Sequence, residues 1–324
     1  MRTSPRALGA LVLAAGMALT LAACGSSDDD TGGTGTDADA TIASELVLGG
    51  PPECPTRPYC QKGLKDTYGL TFKSFKALDV GGPLTVTALE DGTVDVGLLF
   101  TTNGVIADKG WVLLEDDKTL QPADNVTPVL SEELVTAYGD EFTDLVNAVS
   151  AELTTEVLTD LNKQTDIDQA DPDDVALDWL QSKNLVPASK PAAVSGPTIK
   201  IGSADFTEDV TLAHIYADML EANGYSVTRK MRIGSREIFF PALKKGEINF
   251  MPEYAGSLLT YLAPKKPATT DGDDNATRLK AALAPLKLTA LEASEAQDIN
   301  GFVVTKETAD KYNLAKISDL ANAP

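Results

Sequence analysis

The chain is poor in the residues that most often do chemistry. It has one histidine and three cysteines in 324 residues. No group of His and Cys at metal-ligand spacing can be drawn from so few, so neither a metal nor another cofactor is expected. The histidine, His214, lies in Leu212-Ala213-His214-Ile215-Tyr216 on an expected helix, where packing accounts for it better than catalysis. No Gly-x-Ser-x-Gly nucleophile elbow and no phosphate-binding glycine loop occurs. A hydrolase working through carboxylates alone is the remaining enzyme reading, and no pair stands out among the 48 acidic residues. Positive charge is scarce: 27 Lys and Arg leave a net charge of −21. Phosphates would be repelled, which argues against a nucleic-acid partner and against direct adsorption to anionic lipid. Long apolar runs are lacking too, since the one at 8–21 is too short to span a bilayer.

That run has a different use. Arg2 and Arg6 precede it and Leu21-Ala22-Ala23-Cys24 closes it, the pattern of a secretory signal that looks like the bacterial lipoprotein cleavage box. Residues 1–23 are therefore expected to be removed, leaving Cys24 as a lipidated first residue on the outer face of the cell membrane. Losing the two arginines takes the charge from −21 to −23. The Gly/Ser/Thr/Asp-rich stretch that follows, to about residue 43, cannot bury enough apolar surface to fold and reads as a flexible tether. About 280 residues remain, enough for one large domain or two lobes. Cys54 and Cys60, the two remaining cysteines of an exported chain, are expected to form a disulfide with Arg57 and Tyr59 at the tip of a stiff loop. The acidic runs at 166–174 and 271–274 lack the pattern of a calcium loop and read as solvated approaches to helices.

One pattern occurs twice. Ala88-Leu89-Glu90-Asp91-Gly92-Thr93-Val94-Asp95-Val96 is matched by Ala242-Leu243-Lys244-Lys245-Gly246-Glu247-Ile248-Asn249-Phe250. Each reads as a helix end, a glycine suited to the left-handed C′ position, and a buried strand. Upstream, helix–Gly69–strand parallels helix–Gly224–strand, and the paired glycines are 23 apart in the first copy and 22 in the second. Each copy opens on a short apolar strand, Leu46-Val47-Leu48-Gly49-Gly50 or Ile199-Lys200-Ile201-Gly202-Ser203. The chain thus contains two βαβαβ units, implying an α/β fold of parallel sheets covered by helices. Ligands of such sheets sit beyond the carboxyl ends of the strands. Phe100 and Tyr254 end equivalent strands, so two facing lobes would bring both rings to one cleft. Helices are expected over 132–153, 155–162 and 173–183, followed by a Pro/Ala linker at 187–197.

These residues resemble the substrate-binding proteins of osmoprotectant ABC importers, the OpuAC/ProX-type glycine betaine/choline family. The resemblance lies in 199–208, Gly234-Ser235-Arg236-Glu237, Pro252-Glu253-Tyr254-Ala255-Gly256, 306–320, Phe100-Thr101-Thr102-Asn103-Gly104 and 170–185. It implies a two-lobed fold of the type II periplasmic-binding-protein kind, with a ligand cleft between lobes and a permease as partner. The order of the pieces is rotated relative to the family, as in a circular permutation. The central lobe would be continuous, about 127–301, with the linker joining the permuted halves; the terminal lobe would combine 44–126 with 302–324. Hinges are expected near Val126-Thr127-Pro128 and Gly301-Phe302-Val303.

In the family, an aromatic box holds the quaternary ammonium group and an arginine holds the carboxylate. Carried over by position, these roles fall on Tyr254, Phe100 and Arg57. Two further aromatic positions fall on Val86 and Asn300. Ser203, Asp205, Ser235, Thr101, Thr102 and Asn103 would supply hydrogen bonds, with Phe206 as a cleft wall. Each has a plainer reading: Tyr254, Phe100 and Phe206 as core anchors, Arg57 as a solvated charge, Asp205 with Glu208 as a helix-capping pair. Arg236 stands at a helix start, where a cation is disfavoured, and suggests a cleft or transporter contact. Glycine betaine or choline is the first expectation. A different solute, or a sensing role on the same fold, remains the alternative.

Overall fold

The computed structural model describes residues 40–52, 54–79, 81–189 and 191–324. The leader, Cys24 and the tether to residue 39 lie outside the described residues. Two five-stranded sheets form two α/β lobes. The terminal lobe holds β1 (Val47–Gly50), β2 (Ser74–Ala77), β3 (Val96–Phe100), β4 (Val112–Leu114) and, from the far end of the chain, β10 (Asn300–Val304). The central lobe holds β5 (Val126–Ser131), β6 (Ile199–Gly202), β7 (Val227–Lys230), β8 (Phe250–Tyr254) and β9 (Leu288–Ala290).

Strand order repeats between the lobes: β2-β1-β3-β10-β4 in one and β7-β6-β8-β5-β9 in the other. The first three strands of each sheet are parallel, as the two βαβαβ units require. Antiparallel strands complete each sheet. β10 runs against β3 and β4, and β5 runs against β8 and β9. The βαβαβ units account for the parallel strands, and the antiparallel additions have a simple cause. β5 and β10 each arrive from the other lobe, so they enter their sheets from the cleft side and run opposite to the strands that end there.

Local signals account for the elements. Gly69 (φ 74°) and Gly246 (φ 73°) take the left-handed conformation that ends helices Gln61–Tyr68 and Arg236–Lys244. The helix expected over 132–153 is broken at Gly139 into Glu132–Tyr138 and Asp140–Glu152. The helix after Asp171 starts with Pro172 at its first position and the Asp171 carboxylate accepting from the Asp173 amide. Strands β3 and β8 are buried along nearly their whole length, as expected of strands covered on both faces. The 187–197 stretch is held at two points, by Val194 N–H donating to Gly224 O and by the Tyr138 hydroxyl donating to Pro197 O.

Two chain crossings join the lobes, at 115–125 and 291–299. They run side by side, bridged between Asn125 and Gln297. The expected hinge positions Val126 and Gly301 lie just inside β5 and β10. Beside the crossings, Gly104 packs so closely on Lys163 that a Cβ there would meet the Lys163 nitrogen at 2.5 Å. Asn162 also donates to Thr102 O at 2.8 Å. The folded ends meet as well, with Ile42 N–H donating to Asn322 O.

Candidate functional site

Beyond the strand ends lies a cleft of three adjoining cavities, about 450, 320 and 590 Å³. The first is walled by the central lobe, at Ala204–Phe206, Gly234–Arg236 and Met251–Tyr254. The other two are shared between lobes. Five aromatic rings line the cleft, one of them the buried Phe239 of the central lobe. Tyr59 and Phe100 come from the terminal lobe; Phe206 and Tyr254 come from the central lobe, their centroids 6.1 Å apart and their planes tilted by 32°. Tyr59, Phe100 and Phe206 are exposed, while Tyr254 is buried. Large apolar surface left open to water in a cleft is surface available to a ligand.

The floor is acidic. Tyr254 donates its hydroxyl to Glu208, which also accepts from Asn162. Thr102 donates to Asp298 at 2.9 Å, linking the terminal lobe to the crossing at 291–299. Burial pushes the Glu208 carboxyl up, against its hydrogen bonds. Burial also holds Asp298 well above the carboxylate range, helped by the negative charge of Glu208. Two acids this close in a dry site share a proton more easily than they both ionise. Asp209, which accepts from the Ala204 amide, is likewise raised by burial. Asp124 accepts from Ser257 N and Oγ and is pushed up to about 6 by burial. Against these stands Arg236, in a two-pronged pair with Glu253 at 3.0 and 2.8 Å. Three buried carboxylates (Glu208, Asp209, Glu253) and two half-buried ones (Asp124, Asp298) thus share the floor with one guanidinium, and burial draws Glu208, Asp209, Asp124 and Asp298 towards their protonated forms.

The residues singled out in the sequence fall into three groups. Tyr254, Phe100, Phe206, Asp205, Ser235, Thr102, Asn103 and Asn300 line the cleft. Several are also tied up locally: Ser235 Oγ donates to Glu237, and Asn103 caps helix Gly104–Lys109 through Val105 N. Ser203 and Thr101 stand behind the lining. Ser203 Oγ accepts from Arg232 N, and Thr101 Oγ1 accepts from Ile299 N while donating to Gln297 O. Arg57 is exposed on the loop closed by the Cys54–Cys60 disulfide, whose Cα atoms are 5.1 Å apart. It is outside the described walls of the three cavities, where its neighbour Tyr59 lies instead. Val86 packs into a small core cluster with Leu89 and Leu99 rather than facing the cleft.

The capping reading of Asp205 does not hold. Phe206 occupies the N-cap of helix Thr207–Ala222 without a side-chain bond, and Asp205 instead lies 3.6 Å from Arg232. Glu208 turns inward to Tyr254 and Asn162, which is why it cannot reach back to the cap. Sequence reasoning missed Asp124, Asp209, Asp298 and Gln121. Acids are so common in this chain that spacing alone marks none of them. Only the position of Asp298 just before β10, where strand meets crossing, carried a usable signal.

The family model for the substrate binding domain of ABC-type glycine betaine transport system matches residues 36–182 and 197–324. Over 137 residues the chain is 33% identical to the glycine-betaine-binding protein of Pseudomonas aeruginosa, covering 42% of this chain and 43% of that one. It is 28% identical over 123 residues to the carnitine transport binding protein OpuCC of Listeria monocytogenes, covering 38% and 39%. The match thus spans about two fifths of the length of each of these relatives. The solved structure of apo YehZ from Escherichia coli aligns at a TM-score of 0.37 and 14% identity, covering 86% of this chain and 85% of that one.

Proposed function

Because the chain belongs to the family of substrate-binding domains of ABC-type glycine betaine transport systems, we propose that it captures a small osmolyte bearing a quaternary ammonium group, such as glycine betaine or choline, in the cleft and delivers it to a membrane permease. The observation that carries this reading is the pairing of open aromatic rings with a buried acidic floor. A quaternary ammonium group cannot donate hydrogen bonds, so it is recognised by ring faces and by diffuse negative charge. Phe100, Phe206, Tyr59 and Tyr254 supply the rings, and the Glu208–Asp298 pair supplies the charge. Closure of the lobes about the paired crossings would bring Tyr59 and Phe100 down on Phe206 and Tyr254.

A carboxylate on the ligand would need its own partner. The resemblance gives that role to Arg57, which lies on the terminal-lobe loop next to the cleft residue Tyr59 and would approach the ligand as the lobes close. A choline-like cation requires no such partner; Asn300 and Val86 add no ring to the box for either kind of ligand.

Anchoring outside the cell through a lipid on Cys24 follows from the leader pattern. Among the described residues, no helix is long and apolar enough to cross a membrane. The circular permutation is supported by the break in the family match at 183–196, on the Pro/Ala linker, and by the contact between residues 42 and 322.

Calorimetric titration of the chain with glycine betaine, choline, proline betaine and carnitine tests the ligand class, with Arg57→Ala and Phe206→Ala alongside. Loss of binding in Phe206→Ala for every ligand, and in Arg57→Ala only for those with a carboxylate, is expected. Absence of heat from all four would remove the quaternary-ammonium assignment.

A further inference from the structure

Away from the cleft, helices Pro172–Ser182 and Thr207–Ala222 pack along one another on the central lobe. Three side chains meet at this seam. His214 and Asp218 stand one turn apart on the same face of the second helix, and Asp173 comes from the first turn of the other. One donor atom from each of the three lies within 4.8 Å of the others.

Their hydrogen bonding is incomplete. His214 Nδ1 approaches Asp173 Oδ1 to 2.5 Å, yet it makes no bond of acceptable geometry there or elsewhere. Asp218 gives Oδ1 to Arg229 and leaves Oδ2 buried without a donor. Buried polar atoms are nearly always satisfied, so two unpartnered ones on residues clustered with a third, carboxylate-bearing residue call for a common partner. The side chains of His214 and Asp218 are 14% and 12% exposed, and that of Asp173 is 56% exposed. The seam therefore has a dry inner side and an open mouth.

We propose that Asp173, His214 and Asp218 form a binding site for a divalent transition-metal cation of the zinc type. One imidazole nitrogen and two carboxylate oxygens are a donor set such ions accept, and the exposed side leaves a fourth position for water. Tetrahedral coordination at about 2.0–2.2 Å puts ligand atoms roughly 3.4 Å apart, within the span of the cluster, with His214 Nδ1 and Asp173 Oδ1 moving apart to admit the ion. Arg229, held between Asp218 and Glu221, engages Oδ1 of the Asp218 carboxylate and leaves Oδ2 without a hydrogen-bond partner. The bound ion would clamp the Pro172–Ser182 helix, the last before the 187–197 stretch, onto the core of the lobe.

The test is binding of Zn²⁺ and Co²⁺ to the untagged full chain, by equilibrium dialysis and by the visible absorption of Co²⁺. Asp173→Asn and His214→Gln are compared with the parent chain. One ion per chain is expected, with a cobalt band of four-coordinate intensity and a rise in melting temperature on adding zinc. Each variant should weaken binding by at least about ten-fold, as loss of a ligand costs no less than loss of a supporting group. Asp173 is open to solvent, so its variant stays informative if His214→Gln misfolds. No uptake up to ~1 mM metal, or equal affinity in parent and Asp173→Asn, would overturn the assignment. Titration with choline in the same samples keeps this result separate from the cleft, because none of the three residues lines it.

Discussion

Arg236 offers the sharpest test of how the cleft floor is held together. Its guanidinium makes two bonds to Glu253, a carboxylate only 1% exposed, and it stands near Asp124 and Asp209. Arg236→Met keeps much of the side-chain volume and removes the charge. Glu253 would retain a single bond, from the Tyr254 amide at 3.0 Å, and would be left as a buried anion among like charges. Removing one partner of a buried pair costs about 3–5 kcal/mol, and the 24% exposure of Arg236 places this case near 3 kcal/mol. At roughly 2–4 °C per kcal/mol for a chain of this size, the melting temperature should fall by roughly 6–12 °C. Urea unfolding followed by circular dichroism gives the free energy directly. The double variant Arg236→Met/Glu253→Gln removes the stranded charge while keeping an acceptor for the Tyr254 amide, and should recover all but about 1 kcal/mol. A single variant that loses less than about 1 kcal/mol, or a double variant as unstable as the single, would refute the reasoning.

Two other predictions concern stability. Asp124 is pushed up to about 6 from 3.8 by burial. Folding therefore favours its protonated form, and stability falls as pH rises from about 4 through 6, by about 3 kcal/mol from this group. Asp124→Asn should flatten that part of the curve, and parallel urea-midpoint profiles for the two proteins would count against the assignment. The disulfide between Cys54 and Cys60 closes a short loop, worth about 2 kcal/mol by restricting the unfolded chain. Cys54→Ser/Cys60→Ser should lower the urea midpoint accordingly and abolish its sensitivity to reductant; an unchanged midpoint would refute it.

The repeat was legible because it rests on backbone rules that act locally. Gly69, Gly92, Gly224 and Gly246 each adopt positive φ where a helix hands over to a strand. The strands ending at Phe100 and Tyr254 read as buried because both faces are covered by helices. What escaped depends on contacts distant in sequence. β4 and β9 are three residues each, too short for periodicity to show, and β5 and β10 owe their direction to the crossings. Gly139, with φ 71°, splits a helix that hydropathy alone would run together. The cleft floor combines residues from positions 124, 208, 253 and 298, and no local pattern announces a carboxylate whose partner lies 46 residues away, as with Glu208 and Tyr254.

The exchange of strands between lobes also constrains the order in which the molecule can assemble. β3 needs β10 along its edge, pairing through five residues from Val96 to Phe100. Those partners are separated by some two hundred positions, during which the whole central lobe is made. Until residue 304 is available, the terminal lobe has an open, apolar strand edge at Leu98 and Leu99 and no fourth or fifth strand in place. Such distant pairing slows folding and prolongs exposure of a sticky edge. The central lobe has no such debt, since β5 to β9 follow one another along the chain. It can fold first and serve as the template on which the two ends of the polypeptide are brought together. A chain truncated before β10 should therefore keep one lobe and aggregate through the other.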